Sequence, residues 1–118
     1  MLGSCGSNES TVNVNGREVS TVKIGNLEVM TEDLGDNMTW DETMKAFAEL
    51  RDSWRLPTKD ELNVLYENKD KIGGFADYLY WSSTEGGDYD VWLQDFTSGG
   101  QYGGYKLDGG NVRAVRAF

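Results

Sequence analysis

The sequence predicts an α+β domain, on three observations. Short runs of alternating polar and apolar residues open the chain. Two Thr-x-x-Glu boxes in its middle each introduce a run of helical period. After them the chain returns to strand-like and glycine-rich segments. Strands, then helices, then strands, with no βαβ repeat, is the order of an α+β fold rather than of a parallel sheet. A chain of 118 residues is one domain with room for a core.

Residues 1–10 read as a flexible Gly/Ser/Asn tail, and residues 11–118 as the domain. Val12 and Val14 alternate with polar neighbours up to Asn15-Gly16, a type I′ hairpin signal. Arg17 to Ile24 alternates again, Gly25-Asn26 is a second tight turn, and Leu27 to Met30 begins a third strand. Thr39-Trp40-Asp41-Glu42 is a capping box, and Met44, Phe47, Ala48 and Leu50 carry a helix from Trp40 to Leu50. Thr58 to Glu61 is the second box. Leu62, Leu65 and Tyr66 mark one face of the second helix, which Lys69, Lys71 and Gly73-Gly74 end. Tyr78-Leu79-Tyr80-Trp81 is an aromatic patch, and Val112 to Phe118 is an alternating terminal strand. Between them, Gly86 to Asn111 holds eight of the fifteen glycines. Such a segment is costly to order, so it is expected to be pinned on a scaffold as a displayed loop surface.

Composition excludes several function classes. Twenty acidic residues against eleven basic ones give a net charge of −9, which disfavours nucleic acid and anionic membrane surfaces as partners. There is no histidine, which removes imidazole acid–base chemistry and the usual zinc and non-haem iron sites. The single cysteine, Cys5, excludes an intrachain disulfide. No run approaches the ~18 apolar residues of a membrane span, so direct membrane insertion is not expected. Leu2-Gly3-Ser4-Cys5 resembles a bacterial lipobox, although no basic or apolar leader precedes it. A trimmed lipoprotein signal with a lipid anchor at Cys5, a cloning scar and coincidence all remain open.

Three motifs occur in order: Trp54-Arg55-Leu56-Pro57-Thr58 with Glu61-Leu62, then Tyr80-Trp81-Ser82-Ser83-Thr84-Glu85, then Val112-Arg113-Ala114-Val115-Arg116. Together with Val22 to Asn26 they resemble the formylglycine-generating-enzyme-like branch of the C-type lectin fold, over roughly residues 19 to 118. Within that branch, residues 86–111 resemble the variable region of a diversity-generating retroelement target protein. Such elements mutate adenines, mostly in Asn codons. The resulting codons reach Gly, Asp, Ser, Tyr, Val, Leu, Phe and Thr, but not Trp, Gln, Lys, Glu or Met. Only Trp92, Gln94, Gln101 and Lys106 of this segment fall in the unreachable set.

The resemblance implies a C-type lectin-like fold with an N-terminal hairpin, two helices packed on a sheet, a loop-rich C-terminal sheet and no disulfide. Its terminal strands would lie close together, with the 86–111 loops on one face. It implies Trp92, Gln94, Gln101 and Lys106 as framework, with Phe96 as a core anchor. The ligand-contacting set would be Asp88, Tyr89, Asp90, Val91, Leu93, Asp95, Thr97, Ser98, Gly100, Tyr102, Gly104, Tyr105, Leu107, Asp108 and Asn111. Trp54 and Trp81 read as core, Trp92 as core under the loops, and Arg113 and Arg116 as bonded to acidic scaffold groups or carbonyls.

The chemistry of the catalytic relatives cannot be carried over, since their cysteine and histidine sets are missing. The sugar-site Glu-Pro-Asn or Gln-Pro-Asp triplet is missing too, because the only proline is Pro57. Asp88, Asp90 and Asp95 lack the ligand set of a calcium loop and read as solvated carboxylates. No catalytic residue, metal site or cofactor is therefore expected. The expected function is binding of a variable protein or cell-surface ligand, at a bacterial surface (as a lipoprotein or on a pilus) or on a phage particle. The alternatives are a structural assembly domain and, less well supported, an enzyme with an unrecognised site.

Overall fold

The computed structural model describes residues 9–14 and 16–117. Cys5 and most of the expected tail lie outside the described residues, as do Asn15 and Phe118. The strands β1 (Glu9–Val14), β2 (Arg17–Ile24) and β3 (Leu27–Met30) form the antiparallel meander that the alternation predicts. Val14 pairs with Arg17 around a two-residue turn whose Gly16 has φ 87°, the left-handed backbone that a type I′ turn requires. Two residues of the expected tail are strand instead. Glu9 and Ser10 belong to β1, where Ser10 Oγ lies 2.8 Å from Thr21 Oγ1.

Both capping boxes form. Thr39 opens α1 (Trp40–Ala48) and Thr58 opens α2 (Lys59–Glu67), each hydroxyl accepting from the backbone N–H of the glutamate three residues on. That glutamate accepts in return from the threonine N–H. The buried stripe of α1 is Trp40 and Thr43, with Phe47 half-buried behind them, while Met44 is exposed. The helix also stops at Ala48, before Leu50. The second helix breaks at Asn68, so Lys69 and Lys71 sit in a separate short α3 (Lys69–Ile72).

The remaining strands are β4 (Gly35–Met38), β5 (Leu79–Glu85), β6 (Asp90–Asp95), β7 (Gln101–Tyr105), β8 (Gly110–Val112) and β9 (Val115–Ala117). They complete a four-stranded sheet, β1-β2-β3-β9, and a five-stranded one, β4-β8-β5-β6-β7. The strand β4 has no sequence signal, since Gly-Asp-Asn-Met is neither alternating nor β-branched. It exists because Gly35 and Met38 pair with Val112 and Gly110 of β8.

The terminal run is not one strand. It breaks at Arg113-Ala114, and the chain passes there from the second sheet to the first. Arg113 is fully buried at this crossing. Its guanidinium donates to Asp33 Oδ1 and to the carbonyls of Met30 and Gly73. Arg116 donates to Glu28 and to the Asp52 carbonyl. Both arginines thus have the scaffold partners expected of them.

Core packing follows the strand alternation. On one face of the second sheet Tyr80 and Phe96 pack against Leu62 and Leu65 of α2 and against Val29 and Val115 of the first sheet. On the other face Trp81, Val91 and Leu93 pack with Trp40 of α1, Leu56 and Val112. The Trp40 and Trp81 rings meet edge to face at 5.7 Å, and Trp81 Nε1 donates to the Met38 carbonyl at 2.7 Å. Trp54 packs under the N-terminal hairpin with Val14, Val19 and Met30.

Candidate ligand-binding surface

The 86–111 segment folds as two connected hairpins and a crossing loop. The β5–β6 turn (86–89) and the loop after β7 (106–109) meet at one end of the second sheet. Lys106 N–H donates to the Tyr89 carbonyl at 3.1 Å, and Lys106 Nζ pairs with Glu85 at 2.9 Å. The Lys106 carbonyl then accepts from Trp40 N–H, which docks this loop on the start of α1. The β6–β7 turn (96–100) lies at the other end, about 17 Å away along a six-residue strand. The loops therefore do not share one face as expected, because a hairpin sends its turn to the far end from its termini.

The predicted contact residues separate accordingly. Asp88, Tyr89, Leu107 and Asp108 are exposed at the first end, with Tyr105 beside them at the end of β7. Thr97 and Ser98 are exposed at the opposite end. Tyr102 is exposed within β7, and Asp90, Asp95, Gly100 and Gly104 are half-buried. Three predicted residues are buried and cannot meet a ligand as the chain stands. Val91 and Leu93 point inward from β6 onto Trp81, and Asn111 Oδ1 accepts from Asn37 N–H at 3.0 Å. Their residue types are reachable by adenine mutation, but strand alternation assigns Val91 and Leu93 to the core, and in β8, buried throughout, Asn111 is held by Asn37.

Two of the carboxylates serve the turns. Asp95 Oδ1 accepts from Thr97 N–H at 2.8 Å, and this backbone bond holds its carboxyl below the usual range. Asp108 Oδ2 accepts from Tyr105 N–H at 3.2 Å. Gly104 is a packing glycine, since a Cβ there would run into Leu93 Cδ1. At Gly103 a Cβ would meet nothing within 4 Å.

The expected framework residues hold the segment from beneath. Gln94 is fully buried and donates to Asn63 Oδ1 and the Gly99 carbonyl. Gln101 donates to Gln94 Oε1 and to the Lys59 carbonyl. Phe96 is buried against Tyr66, Phe75 and Tyr80. Trp92 departs from its expected place in the core. It is half-buried, on the face of β6 opposite Val91 and Leu93, with Lys59 Nζ 3.7 Å from its ring centroid. The alternation Val91-Trp92-Leu93 carries that signal, whereas the Lys59 contact depends on how α2 docks. Lys59 N–H donates to Thr84 Oγ1 at 2.9 Å, which fixes the start of α2 on β5.

Among the described residues no group of three or more acidic or cysteine side chains is arranged to hold a metal ion, and no helix is long and apolar enough to cross a membrane. What the surface offers is contact area. Seven large apolar or aromatic side chains are exposed among the described residues. The four most exposed all lie in this segment: Leu107 at 86%, Tyr89 at 78%, Tyr105 at 66% and Tyr102 at 53%.

A comparison with curated proteins finds no match. A family model for the Lcl C-terminal domain matches residues 13–116, nearly the whole chain. The C-type lectin-like fold implied by the ordered motifs is the fold of that family, which is one of lectin-like binding domains and not of enzymes. The chain belongs to the Lcl C-terminal domain family, the C-type lectin-like domain of retroelement variable proteins.

Proposed function

We propose that this domain is a non-enzymatic ligand-binding module whose contact surface is diversified by a retroelement. The core of that surface is Tyr89, Tyr105 and Leu107, with Asp88, Asp90 and Asp108 around them, and Tyr102 adds exposed area on the other face of β7. The observation that carries the reading is a division of labour. Residues of codon-unreachable type (Gln94, Gln101 and Lys106) hold the loops through hydrogen bonds and an ion pair, while the most exposed large side chains are all of reachable type. Exposed tyrosines supply contact area with a hydrogen-bonding tip at low entropy cost. The acidic rim favours a protein or cell-surface ligand with basic character over nucleic acid. Such a module belongs at a cell surface, with Cys5 as its lipid anchor, or on a phage particle.

Two measurements test this. The DNA around the gene should contain a near-copy of its 3′ end, differing mainly at adenines and lying beside a reverse transcriptase gene. Its absence removes the diversification. A ligand selected against the intact domain from a displayed protein library should bind at least about tenfold more weakly to a Tyr89→Ala/Tyr105→Ala/Leu107→Ala variant. Unchanged binding would place the contact surface elsewhere.

A further inference from the structure

We propose that β7 is an open sheet edge on which an extended, basic segment of another protein adds as a sixth strand. This rests on the reading of the 86–111 segment as the ligand surface, and it adds main-chain pairing to the side-chain contacts proposed there. The strand β7 ends the order β4-β8-β5-β6-β7 and pairs only with β6. Its register fixes which backbone groups are free. The Gly100 carbonyl accepts from Asp95 N–H, and Lys106 N–H donates to the Tyr89 carbonyl. Tyr102 and Gly104, which lie between these two bonds in the register, therefore turn their N–H and C=O towards β6. In an antiparallel ladder the alternate residues then face outward, and these are Gln101, Gly103 and Tyr105.

Tyr105 is closed off, because its N–H donates to Asp108 Oδ2 and its carbonyl accepts from Asp108 N–H. Among the described residues nothing bonds the outward groups of Gln101 and Gly103. They present two donors and two acceptors about 7 Å apart, the spacing at which a strand offers its own. The usual guards of an edge are missing. The run Gln-Tyr-Gly-Gly-Tyr has no proline and no charge, and its pairing with β6 has no bulge. The space around Gly103 lets a second backbone approach closely. Tyr102 and Tyr105, three positions apart on a strand, project to opposite faces and flank that edge.

Charge selects the occupant. Asp90 lies opposite Tyr105 in the ladder, Asp95 lies beside Gly100 and Asp108 bonds Tyr105, while Lys106 is paired with Glu85 and Lys59 lies over Trp92. In a chain of net charge −9, a second copy added at β7 would bring like charges together. A partner strand with Lys or Arg at alternate positions complements them, as in recognition by strand addition.

The test uses the full chain and a capped ten-residue peptide of alternating Lys and Val. Without peptide, the Gly103 amide should exchange close to the free-chain rate. With millimolar peptide its exchange should slow at least about tenfold. A peptide N-methylated at alternate residues should give no protection. Gly103→Pro removes one outward donor at an edge position that tolerates proline, and should weaken binding at least about tenfold. Gly103→Ala keeps the donor and should bind as the parent does. Unprotected Gly103 at millimolar peptide, or equal binding of the N-methylated peptide, overturns strand addition. Peptide binding that depends on Tyr89, Tyr105 and Leu107 while Gly103 exchanges freely overturns it too, and leaves the loop surface standing. A doubled mass with Gly103 already protected overturns the basic partner in favour of a second copy.

Discussion

Arg113 and Asp33 form a buried ion pair, Nη2 to Oδ1 at 2.8 Å, at the point where the chain crosses from one sheet to the other. Arg113 is fully buried and Asp33 half-buried, and the same carboxylate accepts from the Tyr80 hydroxyl at 2.8 Å. Burial, with Asp33 opposing loss of the proton, pushes that hydroxyl up to about 12. One aspartate therefore ties the β3–β4 connection to β5 and to the crossing. Removing one partner of such a pair strands the other. Asp33→Ala should destabilise the domain by about 3–5 kcal/mol, read as a lower urea midpoint with little change in slope. A loss below about 1 kcal/mol would show that the Met30 and Gly73 carbonyls suffice for Arg113.

Gln94 and Tyr105 should separate framework from surface. Gln94→Ala leaves Asn63 and the Gly99 carbonyl without a buried donor, at a cost of about 1–3 kcal/mol. Tyr105→Ala removes an exposed ring and should change stability by no more than about 0.5 kcal/mol. Thermal unfolding of the two variants side by side decides it. Equal losses would mean that the tyrosine is part of the scaffold.

The helix caps should be separable and similar in size. Thr39→Ala and Thr58→Ala each remove a hydroxyl acceptor at a helix start, and should each cost about 1 kcal/mol. Serine at either position should restore most of the loss. No recovery with serine would point to the threonine methyl group instead.

Acid should weaken the fold through identified carboxylates. Hydrogen bonds from Arg55 hold Glu61 below its usual value. Burial raises Glu28 most, but bonds from Thr21, Arg116 and Ser10 outweigh it and leave it lowered. A depressed folded pKa stabilises above the unfolded value, near 4.3, and that stability is lost as pH falls through the folded value. Stability from these groups should hold above about pH 5 and decline below it. Denaturation midpoints across that range should show a shallower acid slope in Glu61→Gln. An identical slope would remove Glu61 from the linkage.

Local structure was readable wherever a residue's role depends on its near neighbours. The alternation of Arg17 to Ile24, the two Thr-x-x-Glu boxes and the turn at Gly25-Asn26 all form as their spacing predicts, because caps, hairpins and side-chain periodicity act within a few residues. Residue type also separated Gln94 as an anchor from Tyr89 and Tyr105 as surface. Only the tertiary structure decided what depends on distant pairing. β4 exists because β8 lies beside it, and the Val112–Phe118 run breaks because Arg113 must reach Asp33, Met30 and Gly73. Asn111 belongs to the core, Lys59 lies over the Trp92 ring, and the 96–100 turn stands apart from the other loops. Those outcomes follow from which strand joins which sheet. Strand register and sheet order are set by contacts between residues far apart in the chain, and no local pattern encodes them.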